Sequence, residues 1–344
     1  MLLTLSRLWR ALPREYTQSI CGMIRFDCQP LFFGKPVSTS WHGHKGLDLG
    51  EVRLNGLYEI NTHAPECVGS VLRHKASLPS KFSSIYHPHL YVGMAIKRLY
   101  GSDALTLSFV PGCKRGFKNI NRICRELHSY GITIKPIDDA SVMHKAPRKL
   151  WRFGDLKQSN DQSEYQANFY QFMSEYPHRY FNSLPVNGYD LSDKKLMLHA
   201  FGGVWNSMVG ANSELDEEIL ERIITSKDQL VIKPFSGTRG RDVLVGADLP
   251  DAFWQASVEN LLKSQSKCGV YTAQFLMPRH IPNTNQSWVF DLNPCCWAQD
   301  GRLQFLYAMS RAVSWEEYNK NHVVNISRGA VLGGAVMDPR FTRY

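Results

Sequence analysis

Apolar and polar positions change period several times along the chain, and each change marks an element. "MLLTLSRLWRALPRE" reads as an N-terminal helix that stops near Pro13; Arg7 breaks the apolar run too early for a secretory signal. From Asp103, an apolar run, an amphipathic stretch with Ile120, Ile123, Cys124 and Leu127 on one face, and a second apolar run "ITIKPIDD" give the order strand, helix, strand. That order predicts parallel strands in a small doubly wound layer, with Gly131 as the helix stop. The polar, aperiodic "GDLKQSNDQSEYQ" at 154–166 marks a boundary.

Beyond it, helical periods are expected at 164–178, in "LSDKKLMLHAFGGVW" after a Ser192 or Asp193 cap, in "SELDEEILERIITSKD", and at 250–265. Strands are expected at 229–234, 242–246, 269–276, 286–292, 302–309 and 322–327. The fold class is therefore α/β combined with α+β. The segments are an N-terminal helical piece at 1–30, a hairpin plus a Rossmann-like β-α-β subdomain at 31–153, and lobes around a cleft at 154–344.

Composition narrows the class only a little. The 344 residues are 43% hydrophobic and 21% charged, an ordinary globular balance, and no repeat period is present. The net charge of +9 favours anionic ligands without choosing among nucleotides, nucleic acid and lipid. Eight scattered cysteines, with no zinc-type spacing, read as reduced thiols of a cytoplasmic protein. No stretch approaches the ~20 apolar residues that would span a bilayer.

Two stretches carry candidate chemistry. In "LVIKPFSGTRGRDVLVG", 230–246, a buried strand ends at Lys233 and a return strand follows a turn holding Ser236, Gly237, Thr238, Arg239 and Gly240. Glycines let backbone N–H groups approach an anion, and the lysine and arginine add fixed positive charge, so the loop has the form of a phosphate-covering flap. It is not a Walker loop, since GxxxxGK with a following Ser or Thr is absent. In "GLDLGEVRLNGLYEINTHAP", 46–65, the Asn55-Gly56 pair reads as the turn of a hairpin. That hairpin would set Asp48 across from Glu59 and Asn61, a hard-oxygen trio suited to Mg²⁺.

Together these residues resemble the ATP-grasp enzymes, and within them the circularly permuted branch that includes glutathionylspermidine synthetase. In the usual order the metal acid and the ExN pair follow the lysine strands, whereas here Asp48, Glu59 and Asn61 precede them. The resemblance implies ATP and Mg²⁺ as cofactors, and Lys194 or Lys195, together with Lys233, as nucleotide contacts. It also implies closure of the 236–240 loop over the phosphates and an adenine-binding hinge at Gln274, Phe275 and Leu276. "SRAVS" and "VNISRGA" would form the terminal strand pair, with Arg311 and Asn325 near the transferred phosphoryl group. The implied activity is ligation of a small-molecule or peptide carboxylate to an amine through an acyl phosphate. One departure limits the transfer: the synthetase branch has an arginine two residues before the metal aspartate, where this chain has Gly46.

Other features read as ordinary surface. The "HGH" at 42–44 and "HPH" at 87–89 lack an evident third ligand, and Cys295 and Cys296 alternate across a strand as structural thiols do. The run Lys114, Arg115, Lys118, Arg122 and Arg125 reads as a solvated helix face. Its sharper alternative is a nucleic-acid or acidic-partner surface on a non-catalytic binding module.

Overall fold

Two helices open the chain, α1 (Leu2–Ala11) and α2 (Arg14–Ser19), followed by the strands β1 (Gly22–Phe33), β2 (Val37–Trp41), β3 (His44–Asp48) and β4 (Glu51–Asn61). Next come β5 (Leu105–Phe109), β6 (Ile134–Asp138), β7 (Leu150–Phe153) and β8 (Met208–Val209). The remainder is α3 (Glu217–Thr225), β9 (Leu230–Pro234), β10 (Leu244–Val245), α4 (Asp251–Lys263), β11 (Cys268–Thr272), β12 (His280–Pro282), β13 (Ser287–Gln299), β14 (Arg302–Ser314), α5 (Trp315–Asn321) and β15 (Val331–Ala335). This computed structural model describes residues 2–12, 14–19, 22–33, 37–41, 44–48, 51–61, 93, 94, 97, 105–109, 121, 124–129, 131–138, 141, 150–153, 171, 175, 208, 209, 217–234, 243–263, 268–272, 280–282, 287–321, 324 and 330–335.

The largest sheet has six strands in the order β15-β14-β13-β1-β4, with β12 on β13, and every pairing in it is antiparallel. It joins the N-terminal strands to those beyond residue 280, so both sides of the boundary expected near 154 contribute to one sheet. Within the first thirty residues α2 ends at Ser19, and from Gly22 the chain is strand. The β13–β14 hairpin turns on Asp300 and Gly301, both at positive φ (50° and 74°), the two-residue turn that Asp-Gly favours because it matches strand twist.

Residues 289–298 of β13 are buried without a break, so both faces of this strand are covered. One cover is α1: Leu5, Trp9 and Leu12, spaced as one helical stripe, are each at most 3% exposed. Trp9 sets its ring edge against Phe26 (6.5 Å, 84°) and its indole N–H donates to the Gly301 carbonyl at 2.9 Å. The apolar stripe of the N-terminal helix is thus spent on the sheet. Among the described residues no helix is long and apolar enough to cross a membrane.

A second sheet, β10-β9-β11-β8, is also antiparallel. Ile223 of α3 and Trp254 and Val258 of α4 pack on Leu230 and Ile232 of β9 to form its core. A third sheet, β6-β5-β7, is parallel throughout, as the strand–helix–strand order of 103–138 requires. Its helical stretch at 124–128 closes with Gly131 at φ 72°, where Gly131 N–H donates to His128 O and Ile132 N–H to Leu127 O. Those two bonds are the glycine C-terminal motif, which only a residue at ease with positive φ completes cheaply.

The Asn55-Gly56 turn is corrected. Glu51–Asn61 is one continuous strand, β4, paired with β1, whereas β3 pairs with β2 in a separate two-stranded ribbon that sets Asp48 opposite Val37. The register steps from Gln29↔Gly56 to Pro30↔Leu54, so Asn55 is absorbed as a bulge beside a proline that has no N–H to give. A second shift, between Asp27↔Glu59 and Cys28↔Leu57, absorbs Tyr58. Two further expectations change: the partner of Ser310–Ala312 is Val331–Gly333, and Val324, within the strand expected at 322–327, lies outside any strand.

Candidate functional site

A polar stripe crosses the middle of the large sheet. Alternation sends Ile24, Phe26 and Cys28 of β1 to the side packed by α1 and places Arg25 and Asp27 on the other side. On β13, next to β1, Asp291 and Asn293 hold equivalent alternate positions, and Arg311 of β14 is the cross-strand partner of Asp291. On the far side of β1, register sets Glu59 opposite Asp27 and Asn61 opposite Arg25. The stripe is bordered by apolar groups: Tyr307, whose hydroxyl meets the Met23 sulfur at 3.8 Å, and the cluster of Val289, Val313, Tyr318 and Ala330.

Within the stripe the charges are matched. Arg25 Nε donates to Asp27 Oδ1 at 2.7 Å and Asn293 Nδ2 donates to the same oxygen at 3.0 Å. Arg311 Nη2 donates to Asp27 Oδ2 at 3.0 Å and also, at very short range, to Asp291 Oδ2. Arg311 Nε donates to Asp291 Oδ2 at 2.8 Å, and its backbone N–H donates to Oδ1 at 3.0 Å. Burial opposes ionisation of Asp27, but the guanidinium charges of Arg25 and Arg311 outweigh it and bring the carboxyl down to about 2. Asp291 moves the other way: burial dominates, only partly offset by Arg311, and its carboxyl is raised. Arg311 is raised in turn, because its two carboxylates outweigh the cost of burial.

Two polar atoms of the stripe are buried without a hydrogen-bond partner among the described residues, Asn61 Nδ2 and Asn293 Oδ1. Buried orphans are costly and uncommon, so they mark where a bound group would find donors and acceptors waiting. They also bear on Mg²⁺. The oxygens of Asp27 and Asp291 accept from arginines, and Asp27 stands opposite Glu59 across the β1–β4 pair. Asn61 suits a metal: turning its amide places a hard carbonyl oxygen where the orphan now stands, two positions after the carboxylate residue Glu59 on the same strand. Among the described residues no three His, Cys, Asp or Glu side chains converge as a metal site.

The predicted residues divide as follows. Glu59, Asn61 and Arg311 come into one sheet, while Asp48 sits on the separate β2–β3 ribbon. Lys233 lies on β9 opposite Gly269 of β11, and the return strand β10 pairs with β9 through Leu244↔Ile232 and Val245↔Val231. Lys194, Lys195, Ser236, Gly237, Thr238, Arg239, Gly240, Gln274, Phe275, Leu276 and Asn325 lie outside the described residues, as do His42, His87 and His89. Of the basic run, Arg125 is described, and it is exposed.

Arg25, Asp27, Asp291 and Asn293 escaped the sequence reading. Their signal was present in "IRFDC" and "FDLNP": charged or amide residues at alternate positions inside runs otherwise apolar enough to be buried. A buried strand that keeps such residues is carrying chemistry or a specific pairing.

No protein-family model matches the chain, and no curated protein matches it. Among solved structures, it is similar to the crystal structure of D-cycloserine synthetase DcsG. The two share 18% identity and a TM-score of 0.39, over 68% of this chain and 77% of that one.

Proposed function

We propose that the chain is an ATP- and Mg²⁺-dependent carboxylate–amine ligase of the ATP-grasp type, circularly permuted. The observation that carries this reading is the antiparallel β9–β10 pair, which flanks the glycine-containing loop 236–240 and has Lys233 near the loop end of β9. A cationic, glycine-bearing loop tethered between two paired strands has the form of a phosphate cover. The polar stripe on the large sheet, with Arg311, Glu59 and Asn61, supplies the second half of such a site.

The chemistry is transfer of a phosphoryl group from ATP to a carboxylate, followed by attack of an amine on the acyl carbon with phosphate as leaving group. Mg²⁺ held by Glu59 and Asn61, with Asp48 as the third ligand, would neutralise phosphate charge. Lys233 and Lys194 or Lys195 would hold the nucleotide, Gln274 to Leu276 would meet the adenine, and Arg311 and Asn325 would face the phosphoryl group. The loop at Ser236, Gly237, Thr238, Arg239 and Gly240 would exclude water from the acyl phosphate. Most of this work is positioning and electrostatics, which suits a site with fixed charges on rigid strands.

Thermal melts with Mg²⁺ and a non-hydrolysable ATP analogue test the proposal. At a hundredfold excess over the dissociation constant, ligand binding adds about 2.7 kcal/mol, a clear rise in midpoint. The rise is expected in the parent chain, and it is expected to be absent in Glu59→Gln and Lys233→Ala variants that keep the parental midpoint without ligand. A parent chain that gains nothing at saturating nucleotide would end the ligase reading.

A further inference from the structure

We infer that the exposed face of the N-terminal helices, together with the tip of the β13–β14 hairpin, is a docking surface for the phosphate backbone of a nucleic-acid duplex. The inference is independent of the nucleotide reading: it uses Arg7, Arg10, Arg14 and Arg302, none of which belongs to the polar stripe.

The buried side of α1 sets its orientation. Leu5 and Trp9 are buried, and at about 100° per residue Arg7 stands on the opposite side of the helix and Arg10 about 120° round from the buried one. The hairpin tip and α2 extend the same surface. Trp9 Nε1 donates to the Gly301 carbonyl at 2.9 Å, and Gln18 Cγ lies 3.8 Å from the point that a Cβ on Gly301 would take. Arg10 follows Trp9, Arg302 follows Gly301, and Arg14 opens the helix that carries Gln18, so these contacts bring the arginines to one end of the large sheet. All four are exposed, and none makes an ion pair or a side-chain hydrogen bond with another described residue. The acids on these elements are Glu15 and Asp300, so positive charge predominates.

The chemistry of the face selects the partner. Arginine grips phosphate through two parallel N–H···O bonds and keeps its charge at every physiological pH. A lipid surface is a poorer match, because a membrane-surface helix holds on by burying its apolar face. Here that face is already packed, with Leu5, Trp9 and Leu12 each at most 3% exposed. An acidic protein is also a poorer match, since protein interfaces centre on aromatic or aliphatic anchors. The large apolar residues exposed in the described structure, Met94, Phe253 and Trp315, lie elsewhere in the chain. A duplex backbone needs neither feature: charge alone supplies sequence-independent binding.

The test is fluorescence anisotropy of a labelled mixed-sequence DNA duplex, two helical turns long, titrated with the full chain at several salt concentrations. Four phosphate contacts give log affinity against log salt a slope of about −3.6, roughly a 150-fold loss between about 50 and about 200 mM. Arg7→Gln, Arg10→Gln, Arg14→Gln and Arg302→Gln are each expected to weaken binding to every sequence alike and to flatten that slope by about 0.9. Thermal melts are expected to keep the parental midpoint, since all four positions are exposed. Arg125→Gln, on the exposed helical stretch before β6, is expected to keep the parental slope. Flattening in Arg125→Gln but not in the four would move the phosphate contacts to the other basic run and overturn the inference. A parent that binds no duplex at the lowest salt overturns it, as does a quadruple variant that binds like the parent. In parallel, the chain is expected to stay in the supernatant when vesicles of phosphatidylcholine and phosphatidylserine in equal parts are sedimented. Vesicle binding tighter than duplex binding, and lost in the quadruple variant, would make this a membrane surface and overturn the inference too.

Discussion

Arg311 and Asp27 are separated by 284 positions in sequence and joined by a 3.0 Å hydrogen bond between Nη2 and Oδ2. The contact exists because β1 lies between β4 and β13, so the N-terminal strand joins Glu59 and Asn61 of β4 to site members from the last sixty residues. Removing the arginine would leave Asp27 with Arg25 and Asp291 with no cationic partner among these groups. Arg311→Met is therefore expected to lose about 3–5 kcal/mol in denaturant unfolding at pH 7, and Asp27→Asn less, since Asp291 still pairs Arg311. The double variant is expected to be more stable than the sum of its parts predicts. Strict additivity would show that the bridge contributes nothing as a unit.

The two carboxylates give pH dependences of opposite sign. Asp27 is held at about 2 against an ordinary 3.8, so the stability from its ionised form is present above 3.8 and is lost as pH falls from about 4 to about 2. Asp291 is raised, so its ionised form costs stability, and that cost appears as pH rises through its folded value. Unfolding midpoints of the parent and Asp27→Asn are expected to converge between pH 4 and pH 2. A gap of constant size down to pH 2 would mean that Asp27 is not held ionised by its arginines.

Glycine at 246 is required by close approach rather than by backbone angle. A Cβ there would lie 1.9 Å from the Lys227 carbonyl oxygen and 2.7 Å from its carbon, both backbone atoms that cannot swing aside. Lys227 is pinned in turn, its Nζ donating to Leu249 O at 2.7 Å and pairing with Asp251 at 3.0 Å. Gly246→Ala is expected to cost more than about 3 kcal/mol by forcing apart the two short turns around Lys227 and Gly246. Gly301→Ala is the control: its nearest neighbour would be Gln18 Cγ at 3.8 Å, and at φ 74° only the conformational cost of about 1–2 kcal/mol is expected. Equal losses in the two variants, read by denaturant unfolding, would refute the distinction.

Local chemistry made some of this architecture readable before the fold. The β9–β10 pair and the β5-helix-β6 unit came out of strand periods broken by glycine, because each element is contiguous in sequence and its end signal is local. The large sheet did not, because its order joins strands from the two ends of the chain, and no local pattern encodes which distant strand β1 will meet. Asn55-Gly56 was misleading for a related reason. The same dipeptide serves a tight turn or a bulge in a long strand, and the choice was made by pairing with Pro30 and Gln29 of β1. Asp300-Gly301 carries the same chemistry and does turn, because β14 is there to pair back on β13. Of the candidate site, the resemblance pointed to Arg311, Glu59 and Asn61, and all three lie on one sheet. Asp27, Asp291 and Asn293 needed the sheet, since partnership across 284 residues has no signature in either segment alone.

Thiol chemistry offers a check on how tightly the large sheet is closed. Cys28 is buried on β1, and Cys295 and Cys296 follow the polar stripe on β13; all three are at most 1% exposed. Burial raises the Cys28 thiol, with the nearby Asp27 charge adding to the rise, and burial alone raises Cys296. Cys124, half-buried on the helical stretch before β6, is pushed up to about 11 from an ordinary 9.0. Since the thiolate is the nucleophile, a rise of this size lowers the reactive fraction by about a hundredfold at neutral pH. Native protein treated with iodoacetamide at pH 7.5 and read site by site by peptide mass is expected to show Cys124 alkylating slowly. Cys28 and Cys296 are expected to alkylate only after the denaturant transition, in step with loss of the fold. Alkylation of Cys296 well before that transition would mean that β13 is exposed by local opening, and the stripe that depends on its register could not then be a fixed site.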